Sequence, residues 1–247
     1  MKQVLIYTLI LVGCGKFMPS LVSSVIGENN LEHVADIDDR HAKALSSPLL
    51  YLSYEDQGLC SANLVADDLL LTNHHCFNRI DCEFMTIRQF DEKTGAVMHW
   101  QCEEVLVKQR YLDFAIARIK SVSGQRAKNR NVAARLAKNS PRQLAQLILP
   151  SFPDGFIKKL DRSAECVFKD VEASDALAGK LSVTHTCDTN SGSSGSLLFN
   201  ANTGAAEALH WGGLAGQHNF AIPMWAILEY LEQSNADIYE QLTIQVH

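Results

Sequence analysis

The sequence has no CxxC pair, so the paired thiolates of a structural zinc site are missing. It has no apolar run near the roughly 20 residues that cross a bilayer core. It has no G-x-S-x-G elbow, no defensible internal repeat, and no alternation of strand-like with helix-like segments. The last of these disfavours a parallel α/β sheet. Positive charge is not in excess: the formal net charge is −6, which argues against bulk affinity for nucleic acid. Charged residues make up 20% and hydrophobic residues 47%, an ordinary globular balance that leaves disorder only to the termini. At 247 residues the chain suits one large domain or two small ones.

One segment departs from the acidic average. Residues 114–153 hold Arg118, Lys120, Arg126, Lys128, Arg130, Arg135, Lys138 and Arg142 and no carboxylate. Two readings stand: a solvated connector between halves, or a docking surface for an anionic partner.

The first residues, "MKQVLIYTLILVGCGK", have the plan of a targeting signal: Lys2, then an apolar run from Val4 to Val12, then the small Gly13. "LVGC" resembles a bacterial lipobox, which implies cleavage before Cys14 and a lipid thioether on that cysteine. An ordinary secretory signal is the alternative. Either way export is expected, and export permits disulfides. Beyond Cys14, six cysteines remain: Cys60, Cys76, Cys82, Cys102, Cys166 and Cys187. Neighbours in sequence suggest Cys60–Cys76, Cys82–Cys102 and Cys166–Cys187, one of fifteen pairings that six cysteines allow. Each would close a loop worth roughly 3 kcal/mol if unstrained.

From about Ser47 the chain reads as short strands bounded by turn residues: "LLYLSY", "SANLVADDLLLTN", "EFMTIRQF", "EEVLVKQ" and "FAIARI". "LAQLILPSF", "AECVFKD", "LSVTHTC", "SLLFN", "AEALHWGG" and "FAIPM" follow the basic segment. This spacing predicts an all-β sandwich or barrel. "MWAILEYLEQ" differs, with Trp225, Ile227, Leu228 and Leu231 at helical spacing, and predicts a C-terminal helix.

Three motifs carry candidate chemistry. "LLLTNHHCF" ends a strand on His74, His75 and Cys76; "YLDFAIARI" puts Asp113 at the mouth of an apolar strand; "CDTNSGSSGSLLF" crowds Ser191, Ser193, Ser194 and Ser196 around Gly192 and Gly195. A serine hydroxyl needs an adjacent base, and the base needs an orienting carboxylate. A carboxylate entering a buried strand needs a donor, which an imidazole N–H supplies. The order is His, Asp, Ser, which is neither the subtilisin order nor that of α/β-hydrolases. His33, His41, His99, His185 and His218 show no metal spacing, and surface or strand positions are expected for them.

With these motifs in hand, the chain resembles the trypsin-like serine proteases, nearest to the bacterial glutamyl endopeptidase (V8-like) branch. "TNHHC" resembles "TAAHC" and "TNKHV"; "DFAIARI" resembles "DLAIVKF"; "SGSSGSLLFN" resembles "GGNSGSPVFN". "ALHWGG" resembles "GIHWGG", "SFPDG" resembles the "GYPGD" turn, and "NFAIPMWAILEYL" resembles the closing strand and helix. The likeness runs from about Ser47 to Gln233. It implies two antiparallel six-stranded β-barrels with a C-terminal helix, and a site between them. It implies His75, Asp113 and Ser194 as catalytic residues, with the N–H groups of Gly192 and Ser194 as the oxyanion hole, and it places Cys60 and Cys76 as in the trypsin-like bridge. It implies no cofactor and no metal, polypeptide substrates, and a monomer.

Specificity is left with two readings. Thr189 and His210 match residues that bind a P1 glutamate carboxylate in the V8-like branch, which implies a Glu/Asp preference; Trp211 and Gly212 are read as pocket residues beside them, with core packing the alternative for Trp211. Asp188, six residues before Ser194, falls where trypsin holds its Lys/Arg-binding aspartate. Ser193 replaces the aspartate that receives trypsin's new N-terminus, so activation by that switch is not expected. "SSVIGENN" offers a second cleavage before Val25, which would release the enzyme from its anchor. A reading of another class is a catalytically silent protease-like lipoprotein that binds a partner. The expected organisation is a signal peptide at 1–13, a tether or pro-region and entry segment at 14–45, the first barrel at 46–125, a basic connector at 126–142, the second barrel at 143–223, and helix and tail at 224–247.

Overall fold

The computed structural model describes residues 24–55, 57–78, 80–91, 94–122, 133–155, 157–175, 179–242 and 244–245. The signal segment with Cys14, and Arg126, Lys128 and Arg130 of the basic stretch, lie outside these residues.

Twelve strands carry the fold. In the first half they are β1 (Leu49–Tyr54), β2 (Gln57–Leu64), β3 (Leu69–Thr72), β4 (Thr86–Phe90), β5 (Val97–Gln109) and β6 (Phe114–Ser121). They close into a barrel in the order β1-β2-β3-β6-β5-β4, with β4 pairing back onto β1. In the second half they are β7 (Leu147–Ser151), β8 (Phe168–Asp175), β9 (Leu181–His185), β10 (Leu197–Asn200), β11 (Ala206–Leu214) and β12 (His218–Pro223). These run β7-β10-β11-β12-β9-β8. A bridge between Gln146 and Val167 then brings the start of β8 back beside β7. The second barrel therefore repeats the strand order of the first.

The apolar runs that show no clean alternation are buried on both faces. In β3, Leu70 points into the first barrel while Leu69 and Leu71 join a separate core. In β6, Ala115 and Ala117 face the barrel while Phe114 and Ile116 face that core; in β10, Leu198 faces the second barrel while Leu197 and Phe199 face it. Period-two geometry sends successive side chains to opposite faces, so a strand covered on both sides reads as continuous Leu, Phe and Ala. The shared core lies between the barrels and is sealed by Met224, Ile227, Leu228 and Leu231 of the helix Met224–Ser234. That helix follows the predicted periodicity.

Two segments differ from the expected organisation. Residues 24–45, read as tether, are packed from Ser24 onward. Glu32–His33 pairs with Lys159–Asp161, and Val34, Ile37 and Ala42 are buried against Ile148 and Leu160. The apolar residues that do this are sparse and irregularly spaced, so they carry no periodic signal. The far end of the basic connector is also structural: Leu136–Ala137 pairs with Ala206 and with Ile244–Gln245. Several basic side chains there have partners: Arg118 binds Asp68, Lys120 binds Glu103, Lys138 binds Glu232, and Arg135 donates to Thr203 O.

All three disulfides join sequence neighbours: Cys60–Cys76, Cys82–Cys102 and Cys166–Cys187. No helix among the described residues is long and apolar enough to cross a membrane.

Candidate active site

β3 ends at Thr72, and the chain turns through a short 3-10 helix, His74–Phe77. Cys76 in that helix is bonded to Cys60 of β2, which fixes the backbone next to His75. Asp113 precedes β6 with φ of +39°, a left-handed conformation costly for a residue with a Cβ. It is held there by its surroundings: Asn73 Nδ2 donates to Asp113 O at 3.0 Å, and Asp113 N donates to Arg110 O at 3.2 Å. The carboxylate meets His75 twice. The His75 backbone N–H donates to Oδ1 at 3.1 Å, and Nδ1 donates to Oδ2 at 2.8 Å. This fixes the imidazole tautomer, leaving Nε2 with a lone pair.

Burial pushes the Asp113 carboxyl up, but the His75 and Lys180 donors outweigh it and hold the group below the ordinary carboxylate range. Lys180 Nζ lies 2.5 Å from Oδ2, the oxygen that His75 also uses. Burial and then Lys108 lower the proton affinity of His74. Cys60, Cys76 and His75 crowd together as three possible ligand atoms, but both sulfurs are spent in the disulfide.

The serine-rich stretch is a tight, pinned turn. Gly192 has φ of +92° and Gly195 +88°. A Cβ on Gly195 would stand 2.1 Å from Ser61 O and 2.3 Å from Thr72 Oγ1; one on Gly192 would stand 2.4 Å from Phe152 O. Only glycine fits either position. Ser193 and Ser196 are fully buried, and Ser193 Oγ donates to Ser151 Oγ; Ser194 between them reaches solvent. Ser194 O accepts the Ser61 N–H at 2.8 Å. The β2 dipeptide Cys60–Ser61 therefore anchors both turns, one through a disulfide and one through a backbone bond. The "SFPDG" turn backs the arrangement, with Asp154 N donating to Ser191 O.

Ser194 Oγ approaches Trp211 O at 3.5 Å, and no bond to His75 Nε2 is formed among the described residues. Such bonds are often open without substrate. The N–H groups of Gly192 and Ser194 have no acceptor among the described residues.

The pocket residues follow Cys187. Asp188 is buried, and its two oxygens accept the backbone N–H groups of Ile26 and Asn30, each at 2.8 Å. Ser24 pairs with Thr189, and Asn219 Nδ2 donates to Ser24 O and to Cys187 O. Thr189 Oγ1 is buried without a hydrogen-bond partner among the described residues. His210, on β11, lies against His185 of β9: Nε2 of His185 is 3.1 Å from Nδ1 of His210. Burial lowers both imidazoles, His185 well below its ordinary value and His210 to about 3. Trp211 stacks on Phe220 and donates from Nε1 to Ser182 Oγ; Gly212 is half-buried beside it.

The structure thus joins His75 to Asp113 and ties their turn to that of Ser194 through Cys60–Ser61, while Ser194 Oγ is not bonded to His75. It adds three partners that the motifs did not reveal: His185, Lys180, and the backbone of Ile26 and Asn30. His185 alone left a trace, two positions after Val183 on the core-facing side of its strand.

The sequence matches the profile of the trypsin-like peptidase domain over residues 60–208. No curated protein matches it. Among solved structures it is similar to an inactive, serine-to-alanine form of Rv3671c from M. tuberculosis H37Rv. The TM-score is 0.59 and the identity 14%, covering 86% of this chain and 98% of the other. It is also similar to a Glu endopeptidase in complex with MPD, with a TM-score of 0.61 and 16% identity over 86% of this chain and 99% of that one. At these identities the two structures share the fold of this chain. The family match spans most of both barrels, and the chain belongs to the trypsin-like peptidase family.

Proposed function

We propose that the protein is an exported serine endopeptidase that cleaves polypeptides with a preference for glutamate or aspartate at P1, using His75, Asp113 and Ser194 and no cofactor. The observation that carries this reading is the common anchor at Cys60–Ser61, which ties the histidine turn to the serine turn. The reaction requires Ser194 Oγ to turn from Trp211 O toward His75. His75 Nε2 takes the proton as Oγ attacks the carbonyl carbon, and Asp113 stabilises the imidazolium. The N–H groups of Gly192 and Ser194 receive the oxyanion; losing one such donor costs about 100- to 1,000-fold in rate. His75 then protonates the leaving amine, and water hydrolyses the acyl-enzyme.

Glutamate preference is supported by Thr189 and the histidine pair. His185 Nε2–H donating to His210 Nδ1 leaves the His210 proton on Nε2, where a neutral imidazole donates to a carboxylate without itself being charged. Asp188 does not favour the Lys/Arg reading, because both of its oxygens are occupied by backbone donors. The lipid anchor at Cys14, the monomeric state and a second cleavage before Val25 belong to the same proposal. The three disulfides among the described residues support export.

Profiling a peptide library at P1, with S194A as the blank, tests the assignment. Cleavage after Glu that weakens about 10- to 100-fold in H210A is expected. Cleavage after Lys or Arg instead would reverse the specificity. A silent binding module would show no Ser194-dependent cleavage by folded, processed protein.

A further inference from the structure

Lys180 has no place in the triad chemistry just described, yet it touches the triad. Its ammonium lies 2.5 Å from Asp113 Oδ2, the same oxygen that accepts from His75 Nδ1. The side chain is largely buried, and Nζ sits 4.2 Å above the centre of the Trp211 ring. That ring is fixed by its bond to Ser182 and its stacking on Phe220. Lys180 enters β9 of the second barrel, while Asp113 and His75 belong to the first. The ion pair therefore spans the cleft from the side that also carries Ser194.

We infer that Lys180 is a positioning residue for the triad, which locks the Asp113 carboxylate and tempers its hold on the protonated His75 side chain. The inference rests on the peptidase reading above. One carboxylate oxygen serving two cationic partners stabilises each less than it would alone. A fixed ammonium beside the carboxylate opposes a second positive charge on the imidazole. Other charged groups around the pair act in the same sense or lie further off. His210 of β11 feels the charge of His75 but is neutral at working pH, and Lys108 of β5 and Arg110 act on the neighbouring His74. Among the described residues, Asp113 is the one carboxylate in contact with His75, so Lys180 acts on its principal counter-charge. Without Lys180, the imidazolium persists to higher pH and the base is available over a narrower alkaline range.

The test follows the His75 imidazole signals by NMR across pH in wild type, K180M and K180R. K180M is expected to titrate about one pH unit higher, a tenfold change in proton affinity, and K180R close to wild type. The acid limb of the fluorophosphonate labelling rate is expected to move with it. K180Q supplies a neutral variant of similar reach if methionine disturbs folding. Coincident titrations of wild type and a folded neutral variant would overturn the inference and leave Lys180 as a structural clamp, even if that variant melts lower. The titration needs no turnover, so an unshifted midpoint counts against Lys180, whereas absence of labelling in folded wild type counts against the peptidase reading.

Discussion

His185 Nε2 stands 3.1 Å from His210 Nδ1, with both rings buried between β9 and β11. Burial disfavours the charged form of each, so the folded state resists protons that the unfolded chain accepts near pH 6.5. Above that pH both states are neutral and the pair costs nothing. As pH falls toward about 3, where His210 titrates when folded, the unfolded state binds more protons and stability drops. Each buried histidine removes up to about 1.4 kcal/mol per pH unit in this window. Asp161 and Glu207, both raised by burial, work in the opposite sense at acid pH. The comparison that isolates the histidines is urea unfolding of wild type against H185Q/H210Q from pH 7 to 4. The wild type is expected to lose stability more steeply; parallel curves would contradict this.

Asp188 closes the N-terminal segment onto the second barrel. Asparagine at this position offers one acceptor where two donors arrive, so D188N is expected to lose about 1–3 kcal/mol. Limited proteolysis should then open the chain near Ser24–Asn30 while the P1 preference stays the same. A wild-type Lys/Arg activity that vanishes in D188N would show that the carboxylate faces substrate instead.

Gly195 and Gly216 both have positive φ, but their surroundings differ. A Cβ on Gly195 meets Ser61 O and Thr72 Oγ1, whereas one on Gly216 meets nothing within 4 Å. G216A is expected to cost about 1 kcal/mol from backbone strain alone. G195A must also displace β2 and is expected to cost at least about 3 kcal/mol, with loss of labelling at Ser194. Thermal melts of the two variants check this; equal losses would contradict the close approach.

Much of this architecture was legible because turns and short strands advertise themselves. "LLLTNHHC", "LDFAIARI" and "SGSSGSLLF" place their candidate residues at strand ends, where local residue types report local geometry. The uninterrupted apolar runs identified strands but not that they are covered on two faces, which depends on the packing of barrel against barrel. Lys180 and Asp113 are 67 residues apart, and Ile26 and Asp188 are 162 apart. No periodicity carries such pairs. Which serine reacts was open from the residues alone; the burial of Ser193 and Ser196 separates them from Ser194 only once the turn is folded.

Whether Ser194 is a nucleophile activated by His75 is read by a fluorophosphonate reaction on the folded, processed protein, followed by mass spectrometry of the modified peptide. One phosphonyl adduct on Ser194 is expected, absent in S194A and slowed at least about 1,000-fold in H75A. No adduct on folded wild-type protein, or an adduct that persists in S194A, would contradict this assignment.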